Sequence, residues 1–167
     1  MSSNPIINNE IKEKLFLNLV ASQHWDKLIN LIQENQLDIN YRDKKGRNAL
    51  FWAINASNTK AVEKLLELKI DCKVTNNLTA LKYAVYKDDI KIIKSLKNYG
   101  VNLDETDDKN STALIYAVLY NKLNSINYLV DNGVNINHED FLGNSAFSLA
   151  FDLKIKYLID KFSNLSK

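Results

Sequence analysis

The stretch Thr79-Ala80-Leu81-Lys82-Tyr83-Ala84 returns 33 residues later as Thr112-Ala113-Leu114-Ile115-Tyr116-Ala117. Working outward from that pair, Asn48-Ala49-Leu50-Phe51-Trp52-Ala53 precedes it and Ser145-Ala146-Phe147-Ser148-Leu149-Ala150 follows. The first alanines therefore stand at 49, 80, 113 and 146. A second marker keeps the same beat: Asp38-Ile39-Asn40, Asp71-Cys72-Lys73, Asn102-Leu103-Asp104 and Asn135-Ile136-Asn137. Two markers stepping together by 31 or 33 residues define an internal repeat, which dictates architecture ahead of any single element.

Each repeat has a physical logic. Thr79, Thr112, Ser145 and Asn48 stand where a side-chain oxygen can cap a helix, and the two alanines let that helix lie close to its neighbours. A polar break follows, then an apolar pattern at helical spacing: Val62, Leu65 and Leu66; Ile92, Ile93 and Leu96; Ile126, Leu129 and Val130. Gly46, Asn77, Asn110 and Gly143 sit where a tight turn wants a positive φ. The unit thus reads as turn, short helix, turn, longer helix.

These residues resemble the ankyrin repeat, whose signature is Thr-Pro-Leu-His-x-Ala in 33 residues. The resemblance covers about residues 15–160. Alanine replaces the motif's proline throughout, and Phe51, Lys82, Ile115 and Ser148 replace its histidine. It implies an all-α ankyrin-repeat solenoid: one domain over 1–167 with five approximate units, 10–42, 43–73, 74–106, 107–139 and 140–167. The terminal units depart as caps should, having one neighbour each. The first helix is expected to start near Ile11, and the last unit to close on Ile155, Tyr157, Leu158, Ile159 and Phe162. The turn between Lys73 and Thr79 has lost two residues and should be blunter than the others.

Composition narrows the function. Twenty-two Lys and Arg against 20 Asp and Glu give a net charge of +2, too little for a nucleic-acid binder. One cysteine excludes an internal disulfide framework. No apolar run approaches the roughly 18 residues of a membrane span, and the amino terminus lacks a basic start and an apolar core. A cytoplasmic location is the expectation. The bias toward Lys and Asn fits an AT-rich coding genome, as in many bacteria.

Catalytic motifs are absent: no Gly-x-Ser-x-Gly, no phosphate-cradling glycine loop, no His-Glu-x-x-His and no paired cysteines. No cofactor is expected. His24, just before a second helix, reads as structural, and His138 as a solvated turn residue. Cys72 shares the apolar slot of Ile39, Leu103 and Ile136, so it reads as a small core residue. The run Asp104-Glu105-Thr106-Asp107-Asp108 lacks the glycine and terminal glutamate of a calcium loop and reads as a solvated hairpin. Lys154, Lys156, Lys161 and Lys167 read as an ordinary charged helix face.

In the ankyrin family, hairpin tips and exposed first-helix positions line a concave face that binds a partner. The resemblance assigns to it Lys44, Lys45, Arg47 and Asn55 from the second unit, and Asn76, Leu78, Tyr86 and Lys87 from the third. The fourth contributes Asp108, Lys109, Ser111, Leu119 and Tyr120, and the last Phe141, Leu142, Asn144 and Asp152. Leu78, Tyr86, Leu119, Tyr120, Phe141, Leu142 and the nearby Phe151 are apolar or aromatic where solvent alone would favour polar groups, and tyrosine is a preferred binding anchor. Charge is ordered too: Arg42, Lys44, Lys45 and Arg47 are basic, while Asp104, Glu105, Asp107, Asp108, Glu139 and Asp140 are acidic. Such a gradient suits one oriented protein partner and suits nucleic acid poorly.

The expected function is non-enzymatic: binding one partner protein, in one form as a cytosolic immunity protein or inhibitor that neutralises a toxin or effector. An alternative from another class is a small-molecule or haem carrier using Tyr83, Tyr86, Tyr116 or Tyr120 as iron ligands. A general scaffold is a third reading. The chain is expected to be a monomer, or a weak homodimer through apolar residues near Phe151 and Phe162.

Overall fold

The structure, a computed structural model, describes residues 9–165. The readings made on the amino terminus and on Lys167 lie outside the described residues. Ten helices occur among those described, in five consecutive pairs: α1 (Asn9–Ala21) with α2 (Trp25–Gln33), α3 (Ala49–Asn55) with α4 (Thr59–Glu67), α5 (Ala80–Tyr86) with α6 (Ile90–Asn98), α7 (Ala113–Leu119) with α8 (Leu123–Asp131), and α9 (Ala146–Asp152) with α10 (Lys156–Leu165). Two short strands, β1 (Lys73–Thr75) and β2 (Leu78–Thr79), complete the elements.

The caps stand where the sequence puts them. Asn48, Thr79, Thr112 and Ser145 hold extended backbone and accept from the amides of Phe51, Lys82, Ile115 and Ser148. One otherwise orphaned donor per helix is satisfied in this way. Ser148 adds the reciprocal bond, closing a capping box at the start of α9.

The chain forms two compact units, divided between Asn76 and Asn77. In the first, α1 packs on α2 and α3, α2 on α4, and α3 on α4 and β1. In the second, the inner helices stack as α5–α7–α9 and the outer ones as α6–α8, with α5 on α6, α7 on α8 and α9 on α10. All eight motif alanines are at most 1% exposed, from Ala49 to Ala150, because a larger side chain there would push the stacked helices apart. Leu50, Ile54, Val62 and Leu65 fill the first core; Leu81, Ile92, Ile93, Leu96, Leu114, Ile126 and Leu129 fill the second, all fully buried. Truncating any of these leucines to alanine costs about 2–5 kcal/mol.

Helices end on a left-handed residue: Asn35, Ser57, Lys69, Asp88, Gly100, Asn121, Gly133 and Lys154 follow the C-caps of α2 to α9. This conformation lets backbone amides return to the last carbonyls, as Asp88 and Asp89 do to Val85 and Ala84. Gly46, Asn110 and Gly143 have the expected positive φ; Asn77 does not. The loss of two residues replaces the wider hairpin turn by a two-residue one at Asn76 and Asn77.

The second sequence marker is an Asx turn. Asp38, Asp71, Asn102 and Asn135 each accept, through the side chain, the amide two residues on. Its third residue then reaches the next repeat: Asn40 accepts from the Asp71 amide in the first unit, and Asp104 from the Asn135 amide in the second. Cys72 is half-buried rather than a core residue. In the last repeat Leu158 and Phe162 are fully buried, so Phe162 offers nothing to a second copy, while Phe151 and Tyr157 remain exposed.

Candidate functional site

Three hairpins are organised by one residue. Asp43, Asp107 and Asp140 each stand three positions before the positive-φ residue of their turn. Asp43 Oδ1 accepts from the amides of Lys45 and Arg47; Asp107 Oδ1 from Lys109 and Ser111; Asp140 Oδ1 from Leu142 and Asn144. The other carboxylate oxygen differs. Asp43 Oδ2 takes Arg47 Nε at 2.7 Å, Asp140 Oδ2 the Ser111 hydroxyl at 3.3 Å, and Asp107 Oδ2 the Tyr116 hydroxyl at 2.7 Å.

Asp107 also faces a cation. Lys82 comes from α5, one repeat earlier, and is only 4% exposed. Its Nζ stands 3.4 Å from Asp107 Oδ2 and 5.7 Å from the centre of the Tyr116 ring, yet has no hydrogen-bond partner among the described residues. Burial pushes the Lys82 ammonium below its usual range against the pull of Asp107, Glu105 and Asp108. Burial and the bond to Asp107 push the Tyr116 phenol up to about 12. Burial alone would raise Asp107, but the bonds from Tyr116, Ser111 and Lys109 and the Lys82 charge hold it below the ordinary carboxylate value.

Above this cluster opens a cavity of about 150 Å³, lined by Asn77, Leu78, Lys82, Tyr86, Asp107, Tyr116 and Tyr120. Its aromatic rim is continuous. Tyr86 stacks on Tyr83 with centroids 6.4 Å apart, Tyr120 stacks on Tyr116 at 6.1 Å, and Tyr86 meets Tyr120 edge to face at 5.7 Å. Lys122 Nζ lies 5.2 Å from the Tyr86 ring centre, a cation–π contact that helps to fix the ring.

Residues 68–140, which hold this cavity, match the family model of ankyrin repeats, in three copies. The chain carries ankyrin repeats. No curated protein matches it. Ankyrin repeats are in general a protein–protein interaction module, ordinarily without catalysis, and their all-α solenoid class agrees with the helix pairs above. Among the described residues no helix is long and apolar enough to cross a membrane.

Within this ankyrin array the residues assigned to the binding face separate into groups. In the first unit Lys44, Lys45, Asn55 and Asn76 are exposed. Arg47 is turned inward: it is half-buried, its guanidinium 4.2 Å from the Trp52 ring centre and its Nε on Asp43. In the second unit Tyr86, Lys87, Asp108, Lys109, Leu119, Tyr120, Phe141, Leu142 and Asp152 are exposed, and Leu78 and Asn144 half-buried. Phe141 and Leu142 reach 76% and 84% exposure, more than any packed role beneath a hairpin allows. Ser111 departs from the expectation. It is 4% exposed, drawn in by its amide on Asp107 and its hydroxyl on Asp140.

The charge gradient is largely internal. Arg42 gives its guanidinium to the Gly46 and Lys73 carbonyls and Asp71, and Asp104, Asp107 and Asp140 are acceptors inside the fold. Lys44 and Lys45 in one unit, and Asp108 and Glu139 in the other, are the members that stay exposed. The acidic run is therefore a hydrogen-bonded hairpin rather than a solvated one, and among the described residues no group of three or more His, Cys, Asp or Glu could hold a metal ion. His138 likewise braces neighbouring hairpins, its Nε2 2.9 Å from the Asn110 carbonyl oxygen, where a solvated turn residue was expected. His24 is exposed, its Nδ1 2.8 Å from the Ser22 hydroxyl.

Sequence reasoning missed Lys82 and Asp43, and read Asp107 and Asp140 only as members of an acidic set. The signal for the aspartates was their fixed place three residues before Gly46, Asn110 and Gly143. For Lys82 it was register, since Ile115, its counterpart one repeat on, is a core residue at 1% exposure.

Proposed function

We propose that this ankyrin-repeat protein binds one partner protein through the hairpin tips and inner-helix ends of its second unit. The observation that carries the reading is the exposed aromatic strip: Tyr86 and Tyr120, 53% and 51% exposed, in edge-to-face contact. Leu119, Phe141 and Leu142 extend the apolar surface on the same unit. Tyrosines held by ring contacts lose little further freedom on binding, so their buried area converts to affinity with small entropic loss.

The concrete form of this function is a cytoplasmic inhibitor or immunity protein that occludes a toxin or effector. A surface that presents apolar anchors acts by covering a complementary surface. The test begins with affinity purification from the native host and identification of the stoichiometric partner. Tyr86→Ala with Tyr120→Ala should then weaken the complex by about 2–4 kcal/mol in calorimetry. Affinity unchanged in the double variant removes the aromatic strip from the interface. For the inhibitory role, the partner's own activity should fall in proportion to bound ankyrin protein; an active complex would make this chain an adaptor.

A further inference from the structure

The floor of the tyrosine-rimmed cavity holds two groups with hydrogen-bonding capacity left over. The Lys82 ammonium carries three donors, and its Nζ has no hydrogen-bond partner among the described residues although the residue is only 4% exposed. The Asp107 carboxylate offers about four lone-pair sites, of which the Lys109 amide, the Ser111 amide and the Tyr116 hydroxyl use three. The remaining site on Oδ2 is faced by the ammonium at 3.4 Å, an ion pair that lacks hydrogen-bond geometry. Asp107 supplies the countercharge, but buried N–H donors left without acceptors are costly, and nothing in the stacking of these repeats requires a lysine here: the counterpart Ile115 fills the same position with hydrocarbon.

We propose that this cavity is a subsite for a primary carboxamide, the side chain of an Asn or Gln on the partner protein. The carboxamide oxygen accepts from Lys82 Nζ, its NH₂ donates to Asp107 Oδ2, and its methylene stem lies between Tyr86 and Tyr120. Other side-chain classes fail on the same two groups. A carboxylate would set a second anion beside Asp107, with Glu105 and Asp108 already acting on Lys82; an ammonium would face Lys82 itself; a hydrocarbon would seal both groups away from water without partners. A neutral group with donor and acceptor side by side meets both. The volume of about 150 Å³ equals roughly five liquid waters, which suits one such side chain and excludes a whole strand or helix.

This inference rests on the proposed protein-binding role and deepens it, so its test uses no partner. Propionamide, propionate and propylammonium share one shape and differ only in charge and hydrogen bonding. Each is titrated into the full chain and followed by NMR through the Tyr86 and Tyr120 ring signals and the Lys82 side chain. Propionamide should shift these signals saturably, with a dissociation constant at least about tenfold below those of the two ions. Lys82→Met should abolish the response while the amide spectrum of the repeats stays folded, and Tyr120→Ala, which opens the wall without touching the floor, should weaken it. Three results overturn the proposal: no saturable shift with propionamide, an equal response to either ion, or a response that survives Lys82→Met. If any of these occurs while the tyrosine double variant still loses its partner, the subsite falls and the binding strip stands. If the tyrosines prove irrelevant to the partner but propionamide binds as described, the cavity serves a free carboxamide instead.

Discussion

Asp107→Ala is the most informative single change in the second unit, because one carboxylate does two separable jobs there. It accepts from the Lys109 and Ser111 amides and the Tyr116 hydroxyl, and it is the countercharge of Lys82. The Lys109 amide sits on an exposed residue while Ser111 is only 4% exposed, so the loss of both bonds, with that of the phenol bond, costs about 1.5–2 kcal/mol together. Leaving a 4% exposed ammonium without its carboxylate adds about 2 kcal/mol. The sum is about 3.5–4 kcal/mol. Lys82→Met alone should be close to neutral or slightly stabilising, since it removes a buried charge that makes no hydrogen bond.

The two changes must therefore couple. In a Lys82→Met background Asp107→Ala should cost only the hydrogen bonds, which leaves a coupling energy of about 2 kcal/mol. Urea unfolding followed by far-UV circular dichroism measures all four proteins, read as a shift of midpoint at constant slope. Asp140→Ala is the internal comparison: the same hairpin role, with no buried lysine facing it, and no rescue by Lys82→Met. Equal costs for Asp107→Ala in both backgrounds, within about 0.5 kcal/mol, would refute the claim that Asp107 holds the ammonium in place.

Three further outcomes follow from other contacts. Tyr116, raised from 10.0 to about 12, keeps its proton in the folded chain after the unfolded chain has lost it. Its contribution is complete below pH 10 and lost between pH 10 and 12, about 1–2 kcal/mol once solvent screening of the half-buried ring is allowed for; tyrosinate absorbance should show one late ionisation that Tyr116→Phe removes. Lys82 works in the opposite sense, its burial penalty being relieved as pH climbs toward 10.5. Lys69 has φ +63 after α4, so Lys69→Gly should stabilise the chain by about 0.5–1 kcal/mol in urea unfolding, the left-handed strain relieved less the extra freedom of unfolded glycine. Asp88 accepts from the Ser125 amide and hydroxyl and from Asn124; Asp88→Ala strands a fully buried serine and should cost about 2–3 kcal/mol by the same measurement.

The helix pairs, caps and cores were legible in the sequence because each depends on residues near one another in the chain. Thr79 caps a helix three residues on, and Ala80 and Ala84 face the same neighbour one turn apart. What was not legible depends on pairs in different repeats. Lys82 and Asp107 stand 25 positions apart in the chain, and neither residue alone predicts the other. Reading the acidic run 104–108 as a charge cluster treated its members as equivalent. In the fold Asp107 turns inward to its own hairpin, Asp104 reaches to Asn135, and Asp108 faces solvent. Ser111 was misplaced for the same reason: a hairpin-tip position reads as outward until the aspartate four residues before it pulls the amide in. The charge gradient failed because a sequence counts formal charges, while a surface shows only those that no internal donor or acceptor has used.

Why the cavity occurs in this repeat follows from comparing equivalent positions. Lys82, Ile115 and Ser148 share one place in the motif within the second unit. Ile115 is apolar, so the carboxylate of the next hairpin, Asp140, turns to the Ser111 hydroxyl instead. Ser148 returns to its own cap at Ser145. Lys82 alone of the three is long enough to reach the next hairpin and charged enough to be held there by Asp107. Its chain passes beneath Tyr116, whose hydroxyl shares the same carboxylate oxygen. The shortened turn before it contributes only Asn77 and Leu78 to the rim, in a stretch two residues shorter than its counterparts. The polar floor and the open roof thus have separate origins in the sequence, a substitution and a deletion. Restoring the two turn residues should then narrow access to Lys82 without changing its pairing with Asp107, whereas Lys82→Ile should remove the floor and leave the opening.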